Sequence, residues 1–160
     1  MTLNTEEKIK KIQINLWKDK PFWAYLSHYL KFKEVDKETL KYQTICVDLD
    51  GNVYYCKEFV DKLSESDLRG VIAHELGHLI YLTELRRHNR DKDGWNIATD
   101  IAINSLLIRD NFTLPKGGLI PNYSDEINTG FGTKIEKCSE KLAEEIYDEL
   151  PEISIDKNGN

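Results

Sequence analysis

Residues 64–87 read SESDLRGVIAHELGHLIYLTELRR, and the rest of the chain is organised around them. Ser64 followed three residues later by Asp67 supplies a helix start, with a hydroxyl to accept from backbone N–H groups that have no partner in the first turn. The apolar residues Leu68, Val71, Ile72, Ala73, Leu76, Leu79, Ile80 and Leu82 then cover most of the helix circumference, so the spacing predicts a helix of about six turns packed on several sides. A helix of that kind is the centre of its domain.

Inside it stands His74-Glu75-Leu76-Gly77-His78, the pattern H-E-x-x-H. Residues four apart differ by about 40° around a helix axis, so both imidazoles project from one face, one turn apart, as two ligands of a tetrahedral zinc ion require. Read as ordinary interior residues, they and Glu75 would be buried polar groups costing about 1–3 kcal/mol each if left unsatisfied. A bound metal resolves all three. Glu75, about 100° further round, is placed to act as base on a water held at the open coordination position and to pass its proton to a leaving amine. Gly77 carries a packing expectation: without a side chain, it lets another helix come close.

A catalytic zinc takes three protein ligands and a water. The metzincin pattern would put glycine and histidine three and six residues after His78, but Tyr81 and Glu84 stand there. His88 lies about 15 Å further along the axis if the helix continues. The segment WNIATDIAINSLLIRD, residues 95–110, offers Asp100 among Ile97, Ala98, Ile101 and Ile103, a poor setting for an unpaired carboxylate. Asn104 follows one turn later on the same face. Thermolysin-like gluzincins carry their third ligand on such a following helix, and by that likeness Asp100 is the expected third ligand and Asn104 the residue orienting an imidazole. Asn96 is read as a helix-start residue.

Outward from this pair, Ile9, Ile12 and Leu16 predict an N-terminal helix, and Pro21 opens a second over residues 21–32 whose aromatics Phe22, Trp23, Tyr25 and Tyr29 are expected in the core. Residues 44–60, centred on Asp50-Gly51, read as an antiparallel hairpin. Residues 111–137 read as a long loop, Ser139 as the cap of a last helix stopped by Pro151, and 152–160 as a polar tail. Arg86, Arg87 and Arg90 read as a solvated helix end.

Bulk composition narrows the functional classes. A net charge of −6 over 160 residues opposes nucleic-acid and acidic-membrane partners, which need a basic surface. No apolar run approaches about 20 residues, and the first residues lack the apolar core of a signal peptide, so a cytoplasmic location is expected. Three cysteines, Cys46, Cys56 and Cys138, are read as reduced thiols.

The segments DLDGNVYY (48–55), EFVDKLSESDLRGVIAHELGH (58–78), Arg86-Arg87, WNIATDIAIN (95–104), LPKGGLI (114–120) and AEEIYDEL (143–150) resemble a metallopeptidase domain of bacteria and their phages, often found ahead of a von Willebrand factor A-like domain. The resemblance covers most of the chain from about Thr44. It implies a zincin-like peptidase with His74, His78 and Asp100 on the metal and Glu75 as base. The fold expected is α+β, a small sheet packed on the H-E-x-x-H helix. It forms a single domain over 1–150, helical over 1–41 with the catalytic core at 42–150. One zinc per chain and a peptide or protein substrate follow. Tyr81, His88, Tyr123 and Tyr147 are open as oxyanion donors, with Tyr147 favoured as a core residue. Two rival readings are a repressor-cleaving regulatory peptidase, which also carries HELGH but usually follows it with an alanine-rich, glutamate-containing helix, and a metal-stabilised binding module without turnover.

Overall fold

The computed structural model describes residues 3–40, 44–130 and 132–151. In chain order the elements are helices α1 (Thr5–Leu16) and α2 (Pro21–Ser27), strands β1 (Lys31–Glu34), β2 (Ile45–Val47) and β3 (Asn52–Tyr55), helices α3 (Lys57–Lys62), α4 (Glu65–Ile80), α5 (Thr83–Arg86) and α6 (Lys92–Arg109), strands β4 (Glu126–Asn128) and β5 (Lys134–Glu136), and helix α7 (Ala143–Glu149). The arrangement is mixed α+β. The expected tail at 152–160 lies outside the described residues.

The main sheet has the order β1-β3-β2, with β1 parallel and β2 antiparallel to the central strand. Its hairpin turn is built by Asp48, whose carboxylate accepts from the Asp50 and Asn52 N–H groups, while Gly51 takes a positive φ of 76°. Only glycine adopts that conformation without steric cost. Cys46 pairs with Tyr54 in this register, not with Cys56, and all three cysteines are free thiols.

α4 lies across this sheet and is covered by α1 and α2 on one side and α6 on another. Ile9, Ile12, Leu16, Val53, Leu68, Ile72, Leu76, Ile103 and Leu107 belong to one apolar cluster around it. A second cluster joins Ala98 and Ile101 of α6 to Ile127, Ile135 and Ile146, so α6 is shared by both. Two glycines set the close approaches. A Cβ at Gly77 would stand 2.7 Å from Ile103 Cγ2, which is the expected reason for a glycine there, and one at Gly70 would stand 1.9 Å from the Thr113 carbonyl oxygen.

Several expectations are corrected. The α4 helix ends at Ile80, because Leu82 turns left-handed (φ 51°) before the short α5. The turn is held by Thr83, whose hydroxyl donates to the His78 carbonyl and whose own carbonyl accepts from the buried Trp95 indole at 2.7 Å. Two such anchors offset a left-handed leucine, which costs about 1–2 kcal/mol. The second helix stops at Ser27 and residues 31–34 form β1, their backbone satisfied by β3. That short helix buries only Ala24 and Ser27, leaving Phe22, Tyr25 and Tyr29 exposed rather than in the core. α6 starts three residues before Trp95, capped by the Asp91 carboxylate accepting from Gly94 N–H at 2.8 Å. The loop at 111–137 contains the β4–β5 pair. Ser139 does not cap α7: its hydroxyl donates to Asp125 at 2.7 Å, and the Glu145 carboxylate accepts from the Leu142 N–H at the helix start instead.

The arginines are not a solvated end either. Arg86 clamps both carboxylate oxygens of Glu144 on α7, and the Arg90 guanidinium stacks over Trp95 and Tyr147 at 5.0 and 5.7 Å. Tyr147 packs as expected, its hydroxyl accepting from the Asp91 N–H at 3.0 Å.

The close approaches make a ranked prediction for urea unfolding. Gly77→Ala presses on a side chain; overpacking of about 1–3 kcal/mol less a helix-propensity gain of about 1 kcal/mol leaves a net loss of about 0–2 kcal/mol. Gly70→Ala meets backbone and costs more, about 3 kcal/mol or above. An alanine at position 77 that stabilises the protein would contradict the contact.

Candidate metal centre

The His74 and His78 rings lie edge to face, their centroids 4.7 Å apart, with Nε2 facing Nε2 at 3.0 Å. Asp100 Oδ1 completes the triangle, 3.5 Å from His74 Nε2 and 3.3 Å from His78 Nε2. These three side chains form a group able to hold a metal ion. Two ligand atoms about 2.05 Å from a tetrahedral ion lie about 3.3 Å from each other. The observed triangle fits that spacing, and its donor set of two imidazoles and one carboxylate suits a divalent ion of the zinc type.

The outer nitrogens of both rings are tied, which decides where the inner lone pairs point. Asn104 Nδ2 donates to the Leu119 carbonyl at 2.9 Å, so its Oδ1 faces His74 Nδ1 at 2.8 Å and accepts from it. Thr83 Oγ1 donates to the His78 carbonyl and accepts from His78 Nδ1 at 3.1 Å. Each ring therefore carries a hydrogen on Nδ1 and turns Nε2 inward. Thr83 and the Leu119 carbonyl were not foreseen. Thr83 stands five residues after His78 with no pattern to mark it, because its role depends on the turn at Leu82.

Electrostatics accord with a site that wants a cation. Burial opposes charge on His74, but hydrogen bonding and attraction from Asp100 outweigh it and raise the imidazole from 6.5 to about 9. Asp100 is partly buried, which opposes its charge, yet the two histidines hold its carboxyl well below the usual range. Glu75, only 5% exposed, is pushed up by desolvation, with the two histidines pulling the other way. A proton thus occupies the centre at neutral pH when no metal does.

The centre opens into a cleft of about 780 Å³ walled by residues 44–49 of the hairpin, by α4 and α6, and by the 114–120 loop. Glu75, Asn96 and Asn104 all line it, as do Arg87, Lys92 and Cys46. Burial and the charge of Glu75 push the Cys46 thiol up, so it stays protonated at neutral pH. Tyr81, His88, Tyr123 and Tyr147 do not line the cleft. The 114–120 loop does.

The chain belongs to the family described as a putative metallopeptidase domain, which it matches over residues 4–160. It is also similar to an uncharacterized protein of Thermotoga maritima, 28% identical over 107 residues, which is 64% of this chain and 26% of that protein. The match thus spans about a quarter of that relative's length. No solved structure matches the chain. Among the described residues, no helix is long and apolar enough to cross a membrane.

Because a metal needs neutral imidazoles, divalent-ion uptake at pH 7 is expected to release about one proton, chiefly from His74, and to tighten as pH rises toward about 9. Titration calorimetry in buffers of different ionisation enthalpy reads that proton directly. Asn104→Ala, which removes the acceptor at His74 Nδ1, is expected to weaken the metal by about ten- to a hundred-fold in a competition with a chromophoric chelator. Unchanged affinity would show that the Asn104 contact does not orient the ligand.

Proposed function

We propose that the protein is a zincin-like zinc peptidase in which His74, His78 and Asp100 hold one zinc ion and Glu75 is the catalytic base. The observation that carries this reading is the triangle of inward-facing donor atoms 3.0–3.5 Å apart in an open cleft also lined by the buried Glu75, which has no hydrogen-bond or ion-pair partner among the described residues. Family membership supports a peptidase, and the three-residue donor set supports an ion with a corner left for solvent.

When bound, zinc would supply Lewis acidity toward a water and the scissile carbonyl. The chain's own residues do the rest. The Glu75 carboxylate accepts the proton of the attacking water and returns it to the leaving amine, and its desolvated setting brings its basicity closer to neutral pH, where such transfer is efficient. Asn104 and Thr83 hold the two imidazoles in one tautomer.

Substrate binding follows from the sheet edge. β2 is an outer strand, and its register turns the Thr44 carbonyl and the Asp48 N–H toward β3. Alternation then aims the N–H and C=O groups of Ile45 and Val47 at the open edge along the cleft. An extended peptide would pair there as an added strand, its scissile bond over the metal centre. A peptide or protein in the cytoplasm is the substrate proposed.

Purified protein should carry about one zinc per chain, and Glu75→Gln should keep that zinc while hydrolysis of a peptide library falls by at least about a thousand-fold. Full activity in the glutamine variant would reject the base. Copurification with no divalent metal, and none taken up on titration, would reject the centre.

A further inference from the structure

Arg86 and Arg87 are neighbours with opposite circumstances. Arg86 is saturated by Glu144, whereas Arg87 lines the cleft with its Nε buried and, among the described residues, without a hydrogen-bond partner. The remaining contacts of Arg87 are loose: Nη1 lies 3.4 Å from the Arg90 carbonyl oxygen, and Nη2 lies 3.6 Å from an exposed Glu84 carboxylate. A guanidinium presents five donors in a planar fork matched to a carboxylate, and this one is left largely unmatched.

Two further groups line the same cleft. Lys92, the first residue of the 18-residue α6, lines the cleft and has no ion-pair partner among the described residues. Its charge is felt at Cys46 in the hairpin wall, where it works against the upward push on the thiol. Asn96, one turn further, also lines the cleft, and its side-chain amide has no partner among the described residues. The positive end of the α6 dipole adds to the same field. In a chain of net charge −6, two under-matched cations and an amide without a partner in the lining of one cleft select for an anion. Glu84 is the acidic neighbour, and its 3.6 Å contact is loose enough to be displaced by a better-placed carboxylate.

We propose that Arg87, Lys92 and Asn96 form a subsite that binds a carboxylate of the peptide substrate close to the bond that is cleaved. The inference rests on the peptidase reading and names the class of peptide it takes. Lys92 precedes Asp100 by eight residues, about 12 Å along the α6 axis. An extended peptide covers about 3.4 Å per residue, so the recognised carboxylate lies within about four residues of the scissile bond. It comes from an acidic side chain or from the peptide's C-terminus, both of which present the same two oxygens to the fork.

The test uses the zinc-loaded full chain and a peptide library of varied charge, each peptide made with a free and with an amidated C-terminus. Cleavage is expected to favour peptides with a carboxylate at a fixed distance of up to about four residues from the cut. Amidation that abolishes the preference assigns the terminal carboxylate, and amidation without effect assigns an acidic side chain. In Lys92→Glu, which places an acid where a helix N-terminus tolerates it, the ratio of kcat/KM for an acidic peptide over its lysine counterpart should fall about ten-fold or more, mostly through KM. Arg87→Met should move the ratio in the same direction. Cleavage indifferent to charge, or a preference untouched by both substitutions, overturns the subsite and leaves the peptidase standing. Zinc uptake with no peptide cut anywhere in the library overturns both.

Discussion

Two imidazole nitrogens facing each other at 3.0 Å, with a carboxylate oxygen within 3.5 Å of both, draw a positive charge among them. In water such a cluster would simply spread apart. Here it is held on two packed helices in a partly dry setting, where charge must be matched locally. A proton satisfies the demand in the metal-free protein, and a divalent ion satisfies it better because it engages all three donors at once. Most of the remaining structure serves to keep these atoms from separating.

The fold meets that constraint by bringing α4 and α6 into contact at Gly77 and Ile103, close to the metal-facing side chains. Gly70, further back on α4, lets the backbone at Thr113 approach as the chain leaves α6 for the loop that walls the cleft. The same loop supplies the Leu119 carbonyl that orients Asn104, and Asn104 in turn orients His74. On the other side, the early end of α4 brings Thr83 back beneath His78. The turn that breaks the long helix is therefore part of the centre, and the Trp95 indole that fixes it comes from the helix carrying Asp100. Arg86 then ties this turn to α7.

Much of this was legible in the chain itself, wherever a single periodicity decided the outcome. Four-residue spacing brings His74 and His78 together, and an acid among isoleucines marks Asp100 as a group needing partners; the three do converge. Gly77 was readable for the same reason, as a gap in an otherwise apolar helix. The hairpin followed from Asp50-Gly51, but the segment read as hairpin to residue 60 leaves the sheet at Tyr55, and Lys57–Lys62 form α3. What could not be read depends on distant contacts. Nothing local tells Leu82 to turn left-handed, because the anchors are His78, Thr83 and Trp95 acting together. Lys31 and Phe32 end the segment read as helical, yet residues 31–34 form a strand, their backbone paired with β3. Phe22 and Tyr25 look like core but ride on a helix too short to bury them, and Tyr29 follows its end, exposed as well. Arg86, Arg87 and Arg90 resemble a solvated basic run, yet one is clamped, one is stacked and one faces the cleft.

The account stands on the identity of the atoms around the ion. X-ray absorption at the zinc edge of the loaded protein measures that shell directly. It should show only light donors, two imidazoles and carboxylate or water oxygens at about 2.0–2.1 Å. A shell containing a sulfur at about 2.3 Å, which would bring in Cys46, or one unaltered by replacing Asp100 with alanine, would contradict the centre described.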